Sequence, residues 1–523
     1  MTNPMHIHTS ASARPYVLRH ALLCIALVAL LARAGYAQAA HYTILYSSQI
    51  TSGSYSGDYD IFRTGFSADG LVDNAPDQPR AVASQRYREI DPVAMPDNDG
   101  GYFLAYMVEH ADSAHLGDKD ILMRHVDRTG RDLWGDSSNS AVVIAQSKYI
   151  EEHPTIQILD DGSLMVFYEI RYGEPATADV DIAAVKLSPT GTMLWPQGVL
   201  VAQTKRQEKL RGTVRDGSSG AIVLVEAVVY RDSVVGASDV LAQHVAPDGT
   251  IGWKDSKEPV KIAGSSHLER NPVMVSDDNG GAYIAYEIEY LGGPRDGDVD
   301  ILAQHLSPTG ARQWTSETDL PIVSSNPKAR EERPVIVRDS SGITIAFEVS
   351  FPVGKGGKTT AHVIGMQRLD TNAKPLWNLG KMSKLIGLRR DIPSRPQLIP
   401  DRVGGIYLLF EGADTLTGNR DVYAQRIDAA GDQIWGDGER PQPVFDTPDA
   451  EYDPRGVLDY DGSLMVVAVR RAAGEQGLQG YTMIVAQRLA LDGTLPWIEQ
   501  LQAPIVLATG AFHNSPPVLL RAQ

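Results

Sequence analysis

A recurring 15-residue phrase constrains the fold of this chain more than any other feature of its sequence. Three copies read DVLAQHVAPDGTIGW (239–253), DILAQHLSPTGARQW (300–314) and DVYAQRIDAAGDQIW (421–435). All seven tryptophans end such a phrase, and successive gaps are 61, 58, 61, 63, 58 and 62 residues. They are Trp134, Trp195, Trp253, Trp314, Trp377, Trp435 and Trp497. A period near 60 residues predicts a repeat architecture.

Each repeat reads as four short strands without a long amphipathic helix. The phrase itself is an apolar run, a turn containing glycine (Ala373 in one copy) and the tryptophan. Upstream lie a proline-opened strand, NPVMVSD (271–277), and an Asp- and Gly-rich turn with a second apolar run, DDNGGAYIAYE (277–287). A fourth apolar run, LPIVSS (320–325), follows the tryptophan. Short antiparallel strands repeated in fours are typical of propeller blades.

One repeat is divided between the two ends of the chain. The segment YTILYS (42–47) begins in mid-repeat, and NSPPVLL (514–520) matches the first strand RNPVMVS (270–276) of another repeat. Seven whole repeats and one divided repeat predict an all-β, eight-bladed β-propeller that is closed by its C-terminal strand. We predict a signal peptide over residues 1–39 and one propeller domain over 40–523, whose 484 residues give 60.5 per blade.

The N-terminal segment has the pattern of a cleavable secretory signal. Arg14 and Arg19 precede the apolar run ALLCIALVALLA (21–32), and AQA (37–39) is a small-x-small cleavage signal. The lone Cys24 lies inside the apolar run without the small residue that a lipid-attachment site needs before it. We therefore expect a secreted or periplasmic protein without disulfides and without membrane insertion.

The net negative charge of the chain limits the classes of molecule that it can bind. The formal net charge is −17, and removal of three basic residues with the signal segment takes it to about −20. This acidity argues against nucleic acid as a partner and permits a cationic ligand or bound divalent cations. We expect a monomer that binds a protein or glycan ligand.

The repeated phrase resembles the D-I-Y-A-Q-R-L-D…G…L-W repeat of secreted bacterial β-propeller proteins over residues 41–523. The tryptophan four residues after glycine is also similar to the tryptophan-docking motif of eight-bladed quinoprotein-type propellers. Both resemblances imply the architecture and are nearly silent on activity. Quinoprotein enzymes use an adjacent cysteine pair near their cofactor, and this chain has no cysteine after Cys24, so a quinone cofactor is not implied.

Glutamate stands three residues before proline in five of the loops that lead into a first strand. In a propeller these loops share a face with the loops between second and third strands, over the central channel. One interpretation is an acidic ring that binds a cation or ligand or supplies paired carboxylates. The other is structural, with each glutamate paired to arginine or accepting loop N–H groups. The binding candidates are Glu89, Glu151, His153, Glu269, Arg270, Glu331, Arg333, Glu451 and Tyr452.

A D-x-D motif recurs in the loops between second and third strands, at Asp58/Asp60, Asp118/Asp120, Asp179/Asp181 and Asp298/Asp300. Carboxylate oxygens can bind Ca²⁺, which makes calcium the candidate cofactor. The structural alternative is that each aspartate only fixes its turn. The acidic loop with Asp296, Asp298 and Asp300 is the best metal candidate.

No G-x-S-x-G, H-E-x-x-H or phosphate-binding glycine loop occurs in the sequence, and no residue is assigned a catalytic role. We therefore predict a non-enzymatic binding or scaffold propeller. The alternative is a carbohydrate-active enzyme, a polysaccharide lyase or glycoside hydrolase, that works over the central channel. A hydrolase predicts an asymmetric cleft with two carboxylates about 5 to 9.5 Å apart.

Overall fold

The computed structural model describes residues 41–522 apart from short internal gaps, so the predicted signal peptide lies outside the described residues. The gaps are 51–56, 86, 111–116, 136–140, 174–177, 205, 232–233, 254–255, 315–321, 327–328, 340–341, 354–358, 378–383, 389–390, 436–440, 446, 473–481, 502–503, 511 and 513–514. The described part is almost entirely β. Its helical segments are α1 (Pro496–Leu501) and a 3-10 turn (Gly293–Arg295).

The described strands follow the repeat. They are β1 (His41–Gln49), β2 (Tyr59–Ser67), β3 (Arg80–Ala83), β4 (Arg88–Pro96), β5 (Tyr102–Glu109), β6 (Lys119–Val126), β7 (Val142–Ala145), β8 (Ile150–Ile158), β9 (Leu164–Arg171), β10 (Val180–Leu187), β11 (Val199–Ala202), β12 (Gln207–Arg215), β13 (Ala221–Arg231), β14 (Val234–Val245), β15 (Val260–Ala263), β16 (Leu268–Ser276), β17 (Ala282–Glu289), β18 (Val299–Leu306), β19 (Ile322–Ser324), β20 (Arg330–Asp339), β21 (Gly342–Val353), β22 (Thr359–Leu369), β23 (Lys384–Ile386), β24 (Asp391–Pro400), β25 (Ile406–Asp414), β26 (Arg420–Ile427), β27 (Gln442–Phe445), β28 (Ala450–Leu458), β29 (Leu464–Arg471), β30 (Thr482–Leu489), β31 (Ile505–Gly510) and β32 (Val518–Arg521).

These strands pair as antiparallel groups of four, which we call units. Unit 1 is β32-β1-β2-β3, unit 2 is β4–β7, and each later unit takes the next four strands, up to unit 8 with β28–β31. Units 3 to 6 are joined into one 16-stranded sheet by single parallel bridges, such as Val180 with Gln207. The all-β class and the predicted four-stranded repeat are confirmed.

The core lies between neighbouring units. The middle strands read as continuous apolar runs because both of their faces are covered, as in β5, where only the last residue is not buried. One cluster joins Phe103 and Ile121 of unit 2 to Leu164 and Val166 of unit 3. A unit therefore buries its faces only against its neighbours, which is why the sequence must repeat.

Glycine in the turn of the phrase has a steric cause, because the tryptophan of the preceding unit packs against that turn. The Trp435 indole N–H donates to the Leu491 carbonyl, 3.0 Å away, in the turn of the next unit. Gly493 in that turn has a φ of 85°, and a Cβ there would lie 2.8 Å from Cγ of Trp435. The glycine is thus needed both for the turn and for the ring that covers it. The same indole-to-turn bond recurs at Trp134, Trp253, Trp314, Trp377 and Trp497.

The two ends of the described chain meet. The C-terminal β32 pairs antiparallel with β1, with Tyr42 opposite Arg521 and Leu45 opposite Val518. Trp497 of unit 8 donates to the Ala68 carbonyl of unit 1, at 3.3 Å. Within the described residues, no helix is long and apolar enough to cross a membrane.

Candidate functional site

A β-bulge interrupts the first strand of six units at the residue before the proline. Each bulge residue has a φ between 48° and 56°, in the left-handed region that non-glycine residues rarely adopt. The bulge residues are Asp91, His153, Asn271, Arg333, Arg395 and Asp453. The proline noticed in the sequence therefore marks a repeated irregularity within the first strand.

Five glutamates of the second strands hold this region together between units. Each accepts a hydrogen bond from a backbone N–H in the first strand of the next unit. The pairs are Leu210 to Glu169 (2.7 Å), Asn271 to Glu226 (3.2 Å), Arg333 to Glu287 (2.5 Å), Arg395 to Glu348 (2.8 Å) and Asp453 to Glu411 (2.9 Å). In units 1, 2 and 8 the strand register puts Ser47, Met107 and Val469 at this position, so the face is not uniform.

The five predicted channel-mouth glutamates lie beneath the surface. Their exposed fractions are at most 2%, so they contact neighbouring loops rather than solvent. Four accept from a serine or threonine side chain and Glu89 from a backbone N–H. The donors are Gln85 N (3.2 Å), Ser147 Oγ (2.5 Å), Ser265 Oγ (2.5 Å), Ser324 Oγ (2.9 Å) and Thr447 Oγ1 (2.6 Å). Among the arginines that the structure describes, Arg470 forms an ion pair with one member of this group, Glu451. Ligand binding at these residues stays a prediction.

Each of these glutamates faces the aspartate that opens the phrase of the preceding unit. Burial raises the pKa of Glu89 and Glu331 to about 8 and the pKa of Glu151 and Glu451 to about 7, and nearby aspartates add to the effect. The pKa of Glu269 is raised for the same reasons. A buried carboxyl beside a second carboxylate favours its neutral form.

Glu89 gives a test of this pairing. Burial, with Asp60 and Asp58 nearby, raises its pKa in the folded protein, while Arg124 and the Gln85 N–H lower it. Because the folded-state pKa of about 8 exceeds the unfolded value near 4.5, its stabilising contribution is present below pH about 4.5 and is lost as the pH rises towards 8. We expect Glu89→Gln to remove this loss, which is at most about 1.4 kcal/mol per pH unit.

Urea unfolding at pH 5 and pH 8.5 measures the effect. The stability difference between Glu89→Gln and the parent protein should shift in favour of the variant at the higher pH. Glu258→Gln is the control, because Glu258 is exposed. An equal difference at both pH values would show that Glu89 is not held in its neutral form.

A cleft on this face surrounds His153. It has a volume of about 590 Å³ and is formed mainly by first and second strands of units 2, 3 and 4. We call it the His153 cleft, and its polar lining is Asp91, His153, Thr155, Glu169, Arg171, Gln207, Lys209, Arg211 and Tyr230. The cleft is therefore confined to one part of the face.

His153 and Glu169 form the central pair of the cleft. The His153 Nδ1 lies 3.0 Å from Oε2 of Glu169, whose other oxygen accepts the Leu210 N–H. The hydrogen bond to Glu169 raises the pKa of His153 above its usual 6.5. The imidazole is 60% exposed, whereas Glu169 is buried. With Nδ1–H directed to the carboxylate, Nε2 is the nitrogen that a ligand can reach.

Cationic side chains surround this pair and are held by partners of their own. Arg171 pairs with Glu152, and Arg211 pairs with Glu226 at 2.6 Å. The Lys209 ammonium lies 3.4 Å from the Tyr230 hydroxyl. Glu152 also approaches His153 and Glu169, with one ligand atom of each within 4.8 Å of the others. The lining thus contains four basic groups and the carboxylates Asp91 and Glu169, and two of the basic groups are also paired with Glu152 and Glu226 outside the lining.

The other predicted binding residues lie outside this cleft. Arg270 pairs with Glu287 and Glu289, and Arg333 pairs with Glu348. The Tyr452 hydroxyl accepts from Arg471, whose guanidinium also lies over its ring. Only His153 among the predicted residues belongs to the cleft.

An arginine bridges two of the aspartates in the loop predicted to bind calcium, which contains Asp296, Asp298 and Asp300. Arg295 donates to Asp298 (2.5 Å) and to Asp300 (2.6 Å), and the Asp296 carboxylate accepts the Gly292 N–H at 2.7 Å. Calcium at this loop stays a prediction, but Arg295 would have to move to admit it.

Sequence reasoning missed several residues of the site. Glu208 occupies the position of the other buried glutamates in unit 4, where it accepts from Thr204. It was missed because Arg211 replaces the proline that marks the motif elsewhere; counting back from the turn aspartate, Asp216, would have found it. Glu169 carries a repeat signal, because glutamate recurs at this position of the second strand in Glu226, Glu287, Glu348 and Glu411. Lys209 and Tyr230 carry no local signal, because their contact with unit 3 depends on packing between units 3 and 4.

Comparison with known proteins finds no matching family model and no matching curated protein. Among solved structures, the chain is similar to the polysaccharide lyase Uly1 (10% identity, 71% of this chain and 85% of that chain, TM-score 0.39). It is also similar to the α-L-arabinofuranosidase Arb93A from Fusarium graminearum (14% identity, 65% of this chain and 93% of that chain, TM-score 0.37). A third similar structure is an α-L-arabinanase from Penicillium chrysogenum (15% identity, 62% of this chain and 92% of that chain, TM-score 0.37). At these values the interpretation of the site rests on the residues of this chain.

Proposed function

We propose that this chain is a carbohydrate-active enzyme that cleaves an acidic polysaccharide by β-elimination in the His153 cleft. The observation that carries the proposal is the His153–Glu169 pair inside a cleft with Arg171, Lys209 and Arg211. A negatively charged sugar is the ligand that a basic cleft in an acidic protein selects. This revises the sequence-based preference for a non-enzymatic scaffold.

The chemistry requires a base, a positive charge and a proton donor. A base takes the proton from C5 of a uronate residue. The electron pair of the former C5–H bond forms the C4=C5 double bond, and the C4–O bond breaks with its electron pair on the leaving oxygen. His153 is the proposed base through Nε2, with Glu169 holding the ring in the required tautomer. Lys209 and Arg171 would stabilise the negative charge that develops on the uronate carboxylate. The Tyr230 hydroxyl beside Lys209 is the proposed donor to the leaving oxygen.

The carboxylates of the cleft fit hydrolysis less well. Glu169 lines the cleft and Glu152 is not among its lining residues, although one oxygen of each lies within 4.8 Å of the other. Glu152 is also engaged by Arg171 and by Lys119, and Glu169 by His153 and the Leu210 N–H. Neither carboxylate is placed as an independent acid or nucleophile.

The fold proposed for this activity is a closed ring of eight blades, with units 1 and 8 in contact. The β32–β1 pairing and the Trp497 bond to Ala68 support closure. The acidic sequence and the signal-like N-terminus support a secreted or periplasmic monomer.

A substitution copied from another unit tests the role of His153. His153→Asn places in unit 3 the residue that unit 5 carries at the same bulge, Asn271, so the positive φ is tolerated. We expect it to lower kcat on a uronate-containing polysaccharide by about 10²- to 10⁴-fold. The readout is the ultraviolet absorbance of the unsaturated uronate product. Because the pKa of His153 is raised, activity of the parent protein should rise with pH through a value above 6.5.

Arg333→Asn is the matched control, because Arg333 is the bulge residue of unit 6 and lies outside the cleft. It should retain the activity of the parent protein. Full turnover by His153→Asn would contradict the proposed base. Reducing-sugar release from neutral glycans without an unsaturated product would instead indicate a hydrolase.

A non-catalytic glycan-binding propeller is the second candidate. It is favoured by the internal partners of Arg171, Lys209 and Arg211, which preorganise the lining for a fixed ligand. Calorimetry that shows binding of an acidic polysaccharide, together with no product under any condition, would select this function.

A further inference from the structure

Charged side chains are segregated along the His153 cleft. The first strands β4, β8 and β12 lie side by side with β8 in the middle, so the cleft has a unit 2 side and a unit 4 side. Asp91 and Val93 of β4 line the unit 2 side, whereas Lys209 and Arg211 of β12 line the unit 4 side. His153 of β8 lies between them. The cleft therefore has an acidic end and a basic end.

The ammonium of Lys209 is the anchor that the basic end offers to an anionic ligand. It lies 3.4 Å from the Tyr230 hydroxyl. In the part of the chain that the structure describes, no aspartate or glutamate forms an ion pair with Lys209, whereas Arg211 is paired with Glu226. A cation without a carboxylate partner at the wall of a cleft favours a negative group of the ligand at that place.

The acidic end disfavours the same negative group. The pKa of His153 is raised chiefly by the hydrogen bond to Glu169 and also by the charge of Asp91, which therefore lies near the imidazole. A carboxylate or sulfate of the ligand placed against Asp91 would meet a like charge, which opposes binding. Hydroxyl and amide N–H groups of an uncharged sugar can instead donate to this carboxylate, and Val93 of the same strand offers an apolar contact.

We propose that the cleft selects a polysaccharide in which uronate alternates with an uncharged sugar, and that it rejects a homopolymer of uronate. The inference rests on the proposed function, because it places the uronate that is cleaved at Lys209 and the neighbouring sugar at Asp91. In a homopolymer every neighbour of that uronate carries a carboxylate, so one of them would lie against Asp91. Asp91 thus determines specificity by opposing the wrong neighbour, and it is not an acid or base of the reaction.

Two polymers that contain the same uronate test this specificity. Hyaluronan alternates glucuronate with N-acetylglucosamine, whereas polyglucuronate carries a carboxylate on every residue. We expect kcat/KM of the parent protein to be at least about tenfold higher on hyaluronan, as measured by the ultraviolet absorbance of the unsaturated product. An equal or higher kcat/KM on polyglucuronate would overturn the inference and leave the proposed function intact.

Asp91→Asn tests the residue itself. The substitution removes the charge and keeps an acceptor, and it places in unit 2 the residue that unit 5 carries at the same bulge, Asn271, so the positive φ is tolerated. The preference for hyaluronan should fall at least about tenfold, because the like charge is gone. Asp453→Asn is the matched control, because Asp453 is the bulge residue of unit 8 and lies outside the cleft lining. It should keep the preference of the parent protein, and an unchanged preference in Asp91→Asn would overturn the inference.

Binding without cleavage separates this inference from the proposed function. Calorimetry on His153→Asn measures the affinity for a hexasaccharide of each polymer, because this variant keeps Lys209 and Asp91 but lacks the proposed base. We expect the hyaluronan hexasaccharide to bind at least about tenfold more tightly. If this difference is found but the parent protein yields no unsaturated product, the elimination fails and the specificity stands. Equal affinities, or binding of neither hexasaccharide, would overturn the inference.

Discussion

Deletion of every residue after Phe512 is expected to destabilise the protein by on the order of 5 kcal/mol or more. The deletion removes β32, which pairs with β1 and whose Leu519 and Leu520 belong to two different core clusters. One cluster joins unit 1 to unit 8, and the other joins unit 1 to unit 2. Removing the strand also exposes the edge of β1, which invites aggregation.

Thermal and urea unfolding of the deletion variant measure this effect, with removal of Gln523 alone as the control. A synthetic peptide of residues 513–523 added in trans should raise the melting temperature of the deletion variant, because it can restore the missing strand. A deletion variant as stable as the parent protein would show that the β32–β1 pairing contributes nothing to stability.

Trp435→Ala is expected to cost about 3 to 5 kcal/mol, the range for truncating a large buried aromatic side chain. The ring is 1% exposed, packs over Gly493 and donates to the Leu491 carbonyl. Trp435→Phe keeps a ring but loses the indole N–H, so it should cost less, with about 1 kcal/mol from the hydrogen bond.

Trp134→Ala is the matched control for this series. Its indole makes the same bond to the next turn, to the Pro189 carbonyl at 2.9 Å, but its ring is only half-buried. The loss should therefore be smaller than at Trp435, as urea unfolding can show. Equal losses at the two positions would mean that the hydrogen bond, and not burial of the ring, dominates.

The repeat was readable from the sequence because its determinants are local. The glycine and the tryptophan that follows it lie four residues apart, and a strand–turn–strand needs no information from outside its own unit. The aspartates of the turns are also local determinants, because their hydrogen bonds lie within their own turn. Asp97 and Asp277, in the turns between first and second strands, accept N–H groups within four residues of themselves.

The candidate site was only partly readable. The glutamate motif located a real set of residues, but not their burial, because the covering groups come from neighbouring loops and from the aspartate of the preceding unit. Within the described part of the chain, Glu451 has the predicted arginine partner, and the other four accept hydrogen bonds from backbone or hydroxyl donors. Local composition does not distinguish these two environments.

The sequence by itself determined the all-β class, the four-stranded repeat and the place of each tryptophan. Tertiary structure alone decided that the His153–Glu169 pair of unit 3 meets Lys209 and Tyr230 of unit 4, and that Asp181 faces Glu208. The physical reason is that the pairing of neighbouring strands, which brings His153 beside Glu169, is set within a unit, whereas the other contacts lie between units. Lys209, Tyr230 and Glu208 reach their partners only when the packed faces of units 3 and 4 meet.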